Sequence, residues 1–246
     1  MAATLYGIPP SHPSHAARLM LECKGLAHRV VWLVPGMHPV QLRMRGFRGA
    51  TVPAMKLDGR RIQGSLYISR ALDEVQGEPR LFPAEPERRA PVEDAERWGE
   101  QVLQPAPRRI WRWILAHSNE MRRRMARGVG MPVPGLMAAL NAPVARYFAR
   151  KSNASEERVR QTIAELPSNL DRVDELLADG VIGGEEPNAA DFQIGTSVRA
   201  LLNFEDIAPA VEGRAAAELA RQVMPEYRGR VPSGYLPPEW LEPIRG

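Results

Sequence analysis

The sequence predicts an α/β domain over residues 1–78, a linker over 79–90 and an all-helical domain over 91–246. Three observations carry this. Strand-like and helical runs alternate up to about residue 78, a pattern that implies a helix-covered sheet with at least one parallel strand pair. Prolines at 79, 83 and 86 then punctuate a short stretch, as in a linker. After Pro91 the hydrophobic spacing is helical and strand signals almost vanish.

Element by element, Thr4–Tyr6 reads as a short strand that runs into the loop Pro9-Pro10-Ser11-His12-Pro13. A helix follows to Lys24, closed by Gly25. Arg29–Val34 reads as a second strand and Val40–Met44 as a short helix. Thr51-Val52-Pro53 enters the next strand; a proline there belongs to an edge or a bulge, and Val-Pro can take the cis form. Ala54–Leu57 and Arg60–Ile62 flank Asp58-Gly59, a dipeptide suited to a tight hairpin turn. Gly64-Ser65 opens an amphipathic helix to Val75. Six helical patterns follow, at 91–104, 108–127, 135–151, 156–178, 189–204 and 211–223. The last twenty residues hold Pro232, Pro237, Pro238 and Pro243 and read as irregular, with Trp240 and Leu241 as anchors.

Taken in order, strand, helix, strand, helix, Val-Pro, hairpin, Gly-Ser and helix resemble the thioredoxin-like half of the glutathione S-transferases. The likeness continues through Leu81-Phe82-Pro83 and Arg89-Ala90…Trp98. It reaches Asn188-Ala189-Ala190-Asp191, whose spacing is that of a capping box, so it covers most of the chain. The resemblance implies a thioredoxin-like α/β N-terminal domain followed by an all-α C-terminal domain. It implies an enzyme that binds glutathione or a similar low-molecular-weight thiol, activates its sulfur and adds it to an electrophilic small molecule. No metal or prosthetic group is implied, and the expected assembly is a homodimer. A non-catalytic ligand-binding or regulatory protein on the same fold is the alternative.

The resemblance also assigns residues. Ser11 lies seven residues before Arg18, the spacing at which serine-using members place the residue that hydrogen-bonds the thiolate. A hydroxyl donor beside the positive end of a helix dipole suits that task. Read without the resemblance, Ser11 is a helix cap, and Ser14 is its rival one turn further on. Val52 and Pro53 would present main-chain groups to the glutathione peptide, in the manner of strand addition. Ser65 would bind the γ-glutamyl carboxylate at a helix N-terminus. Its usual acidic neighbour is replaced by Gly64, preceded by Gln63, which leaves a related thiol as an option beside glutathione. An ordinary helix cap is the plain reading of that pair.

Other candidates have simpler readings. Cys23 is the single cysteine and stands at the far end of its helix, so it reads as a bystander and excludes an internal disulfide. His38, Arg45 and Arg48 occupy a region where the family often contacts the glycyl carboxylate, yet each reads first as a solvated surface charge. Trp98, Trp111 and Trp113 with Arg108 and Arg109 fall where the family builds its pocket for the electrophile, although tryptophans at this spacing suit a core. Arg122-Arg123-Arg124 reads as a solvated helix face.

Composition sets the outer limits. Of 246 residues, 44% are hydrophobic and 25% charged, which is ordinary for a globular protein able to bury a full core. Residues 1–78 carry ten Lys/Arg against five Asp/Glu, and the remainder 23 against 24. The positive excess therefore lies in the half expected to hold an anionic ligand. No lysine-rich tail, RNA-binding signature or zinc spacing accompanies it, so a nucleic-acid partner is not expected. Residues 128–145 lack charge, but Gly128, Gly130, Pro132, Pro134, Gly135 and Pro143 break them, so no membrane span is expected. The start Met1-Ala2-Ala3-Thr4 lacks signal-peptide character, and a cytoplasmic location is the expectation.

Overall fold

Leu5 and Tyr6 are successive residues of the first strand and serve two different cores, because side chains alternate across a strand. The computed structural model describes residues 2–75, 79–128, 133–227 and 229–245. The expected domain boundary at residue 78, the chain ends Met1 and Gly246, and the expected helix breakers Gly130 and Pro132 lie outside the described residues.

The N-terminal half contains β1 (Ala3–Gly7), α1 (His12–Cys23), β2 (His28–Trp32), α2 (His38–Met44), β3 (Ala54–Leu57), β4 (Arg60–Gln63) and α3 (Ser65–Asp73). The sheet order is β2-β1-β3-β4, with β1 and β2 parallel and the other pairs antiparallel. This is the thioredoxin-like arrangement that the sequence predicts. At the hairpin, Asp58 and Gly59 have φ of 44° and 84°, as the mirror-image turn between right-twisted strands requires. Leu5, Met20, Met55, Ile68 and Leu72 are buried between the sheet and the pair α1 and α3. Tyr6, Ile8, Leu33, Leu42 and Phe47 form a smaller cluster under α2 on the opposite face.

The C-terminal half is helical: α4 (Pro86–Trp98), a π-helical segment (Gly99–Leu103), α5 (Pro105–His117), α6 (Asn119–Gly128), α7 (Pro134–Leu140) and α8 (Ala142–Lys151). Then come α9 (Glu156–Ala164), α10 (Leu166–Ala178), α11 (Ala189–Leu201), α12 (Ala208–Val211) and α13 (Ala215–Val223). α4 starts at Pro86, inside the stretch read as linker, because proline fits the first helical turn where its missing N–H has no partner to lose. The pattern at 108–127 divides at Ser118, whose extended backbone ends α5 and whose Oγ accepts from Met121 N. The pattern at 156–178 divides at Glu165, with Pro167 in the first turn of α10.

One continuous core joins the halves. Leu81 and Phe82 are fully buried in the connection, and α1 packs along α11, the most buried helix. The Arg70 and Arg89 guanidinia lie 4.1 and 4.9 Å from the Phe82 ring centroid. The Asn188 cap of α11 is the expected capping box, with Asn188 Oδ1 accepting from Asp191 N and Asp191 accepting from Asn188 N. Arg122 departs from expectation. It is buried rather than solvated, because its guanidinium donates to the carbonyls of Leu115, Ala116 and Ala138 and so satisfies the otherwise open ends of α5 and α7. Trp113 is core, tilted against Trp240 at 4.8 Å, and Trp240 and Leu241 bury the end of the tail.

Candidate functional site

Strand register brings the candidate residues to one end of the sheet. Tyr6 pairs with Ala54, and Ala54 pairs with Gln63, so the end of β1, the start of β3 and the end of β4 lie side by side. β1 leads from there to Ser11, β3 begins at Val52-Pro53, and β4 hands over to Gly64-Ser65. A bond from Gly64 N to the Pro53 carbonyl at 2.9 Å ties the last two together.

Ser11 is the N-cap of α1. Its Oγ accepts from Ser14 N at 3.3 Å and from Ser14 Oγ at 2.9 Å. With two acceptor positions used inside the protein, the Ser11 hydroxyl keeps its proton for a further partner. Ser11 is half-buried, whereas Ser14 is fully buried behind it. The two serines therefore stand one behind the other rather than as equivalent alternatives.

The Val52-Pro53 peptide bond is cis. Among the described residues, the Val52 main-chain N–H and carbonyl make no backbone hydrogen bond, so they remain open for an extended ligand. Gln63 holds the segment before them: its Oε1 accepts from Gly49 N at 2.9 Å and its Nε2 donates to the Thr51 carbonyl at 2.7 Å. Both ends of that amide are thus taken by the protein. A pocket of about 300 Å³ next to this segment has Val40, Arg43, Met44 and Arg48 among its walls.

Gly64 has φ of 100°, a backbone conformation that a side chain would strain, so glycine suits this position. Ser65 follows as the first residue of α3, only 1% exposed, and its Oγ has no hydrogen-bond partner. A buried hydroxyl left unpaired costs about 1–3 kcal/mol. Placed at a helix N-terminus, it is suited to a carboxylate.

Two histidines of α1 fix the Ser11 loop. His12 is buried and its Nε2 donates to the Gln104 carbonyl at 3.2 Å, bridging the two halves. Burial first, and the nearby Arg108 second, lower its pKa to about 3, so it is neutral. His15 Nε2 donates to the Pro9 carbonyl at 2.8 Å, and its ring meets Trp32 and Tyr227 at 5.3 and 5.5 Å. Tyr227, for which the sequence carries no local signal, donates to the Pro10 carbonyl.

The remaining candidates fall elsewhere. His38 is buried, not solvated, and stacks on Phe148 of α8 at 5.9 Å. Arg45 donates to the Gln41 carbonyl at 2.7 Å. Cys23 is partly buried and burial raises its thiol pKa, as suits a bystander. Among the described residues, no group of three or more His, Cys, Asp or Glu side chains is placed to hold a metal ion. No described helix is long and apolar enough to cross a membrane.

Residues 5–80 match the family profile described as glutathione S-transferase, N-terminal domain. This match identifies residues 5–80 as a domain of the glutathione S-transferase N-terminal type. Solved glutathione S-transferase structures share the fold over nearly the whole chain. Glutathione transferase F2 from Populus trichocarpa is 17% identical, covers 98% of this chain and 97% of its own, and has a TM-score of 0.61. A glutathione S-transferase from Methylobacterium radiotolerans, solved with glutathione sulfonate, is 18% identical over 95% of this chain and 96% of its own, with a TM-score of 0.55. The beta-etherase LigF from Sphingobium sp. strain SYK-6 is 19% identical over 82% of this chain and 84% of its own, with a TM-score of 0.61. No curated protein matches the sequence.

Proposed function

We propose that the protein is a glutathione transferase that binds glutathione, or a closely related thiol, as a thiolate and transfers it to an electrophilic small molecule. We place it in the cytoplasm as a homodimer. The observation that carries the reading is the unpartnered, buried Ser65 hydroxyl at the start of α3, on the same sheet end as Ser11 and the open Val52 main chain. A γ-glutamyl carboxylate on Ser65, a peptide paired with Val52 and a sulfur at Ser11 would use all three.

In this mechanism the thiol proton passes to solvent and the Ser11 hydroxyl donates to the sulfur anion. Ser14 keeps that hydroxyl oriented by donating to its oxygen. A hydrogen bond to an ionised partner contributes about 1.5–3 kcal/mol, which lowers a thiol pKa by roughly one to two units. The sulfur lone pair then forms the carbon–sulfur bond. In a displacement, the leaving group departs with the electron pair of the broken bond; in an addition, the carbon takes a proton from water. Holding both reactants together supplies the rest of the rate.

The test combines glutathione-dependent thermal stabilisation with turnover of 1-chloro-2,4-dinitrobenzene. Stabilisation with turnover is expected. Stabilisation without turnover, across several electrophiles, would instead indicate a non-catalytic binding protein. No stabilisation by glutathione or another small thiol would remove the proposal.

A further inference from the structure

Arg108 and Arg112 stand one turn apart on α5, so their side chains share one face of that helix. Neither guanidinium has an ion-pair or hydrogen-bond partner among the described residues. Glu100 is the acidic group whose charge reaches Arg108, and Arg108 in turn bears on Arg112. Burial, then Arg108, lowers the Arg112 pKa to about 10. Arg108 is nevertheless open to solvent and Arg112 half-buried, so a ligand can reach both guanidinia. The Arg112 charge is partly desolvated and stands beside a like charge, and an anion would relieve both penalties.

The surroundings define what kind of anion fits. The Arg112 guanidinium lies 4.7 Å from the Phe148 ring centroid, and the far side of the group is His38, stacked on Phe148 with an interplanar angle of 24°. His38 Nδ1 is buried without a partner, and burial, Arg112 and Lys151 keep the ring neutral. At the rim, Val34, Met37, Val144 and Tyr147 are 50, 55, 42 and 59% exposed. The loop between β2 and α2 meets α8 there, since Val144 Cγ1 lies 3.9 Å from where a Cβ on Gly36 would be. Cationic groups and a neutral imidazole thus sit beneath an apolar and aromatic rim, between α2 of the thiol-binding half and α5 and α8.

We infer that this surface, where α2 meets α5 and α8, takes the acidic end of the electrophile, and that the preferred acceptor is an aromatic carboxylate held by Arg108 and Arg112 against Phe148 and Tyr147. The inference rests on the proposed transferase reading and adds a substrate class to it. A planar carboxylate matches the guanidinium fork, and aromatic rings match the rim.

Calorimetric titration without any thiol tests it, using 3,5-dinitrobenzoate against the neutral 1,3-dinitrobenzene. The acid should bind roughly tenfold or more tightly than the neutral ring, and Arg112→Gln and Arg108→Gln should each remove roughly that factor for the acid alone. Arg112→Lys should recover part of it. Equal affinities for acid and neutral ring in the wild type would overturn the inference, whatever the fate of the variants. Glutathione titrated into the same proteins separates the two sites. Glutathione affinity that falls in parallel with dinitrobenzoate affinity would assign the arginines to the thiol and also overturn it. Binding of dinitrobenzoate through Arg112 by a protein that binds no thiol would keep the anion site and remove the transferase reading instead.

Discussion

The Tyr227 hydroxyl donates to the Pro10 carbonyl at 2.9 Å, joining residues 217 positions apart. Pro10 immediately precedes Ser11, so the C-terminal tail helps set the position of the N-cap hydroxyl. The tail is itself held from α11 and the turn after it: Arg199 Nε donates to the Met224 carbonyl at 3.0 Å, and Asn203 Nδ2 to the Tyr227 carbonyl at 3.2 Å. Removing the hydroxyl while keeping the ring, as in Tyr227→Phe, should cost about 1 kcal/mol of stability. It should lower kcat by roughly three- to tenfold with little change in KM for the thiol, since a misplaced donor weakens the transition state more than binding. Steady-state kinetics with unchanged kcat would show that the tail does not position Ser11.

Ser11→Ala should reduce turnover by roughly ten- to a thousandfold and raise the apparent pKa of the bound thiol. Ser14→Ala removes only the group that orients Ser11, so its loss should be smaller, roughly two- to tenfold. Thiol absorbance titrated against pH in each complex reads this directly. A larger loss in Ser14→Ala than in Ser11→Ala would transfer the role.

Glu96 makes stability depend on pH. Its carboxyl is fully buried on α4 and lies 2.6 Å from Arg70 Nη1 of α3, yet burial outweighs that ion pair and pushes its pKa up to about 7 from an ordinary 4.5. Between those values the folded protein holds a proton that the unfolded chain releases. The stability this proton contributes is fully present below pH 4.5 and is lost as pH rises through about 7. Glu96→Gln should remove that slope, worth on the order of 3 kcal/mol over this window. The remaining profile should then fall toward acid, because His12, held near pKa 3 in the fold, must stay neutral while the unfolded chain takes up a proton below about 6.5. Denaturant midpoints measured against pH that are the same for wild type and Glu96→Gln would contradict this.

Tyr67 projects from α3 with 71% of its surface exposed. In the homodimer proposed above, the helix starting at Ser65 packs on helices after Pro91 of the second copy, with a total buried area of at least about 1,000 Å². Tyr67→Glu should then shift the protein toward monomer by placing a charge in an apolar contact. Light scattering that gives a stable 27.4 kDa species for the wild type at micromolar concentration would refute the dimer. The thiol site would survive, since Ser11, Val52 and Ser65 belong to one chain.

The sequence by itself determined the features that depend on near neighbours. The α/β-then-helical order, the Asp58-Gly59 hairpin, the Asn188-to-Asp191 capping box and the start of α3 at Gly64-Ser65 are set by backbone geometry and by hydrogen bonds spanning a few residues. Val52-Pro53 was visible for the same reason. What the chain pattern left open was which polar groups are buried. Arg122 resembles its exposed neighbours in sequence, but only the meeting of α5, α6 and α7 supplies the three carbonyls that take it inside. Gln63 stands next to the site in sequence, but only the fold of residues 49–51 shows that its amide is already occupied. His38 becomes a buried ring through Phe148, 110 positions later, and Tyr227 reaches Pro10 across almost the whole chain. Such contacts depend on the docking of the helical half against the sheet, where burial and desolvation act between residues with no local relationship, so only the tertiary structure could decide them.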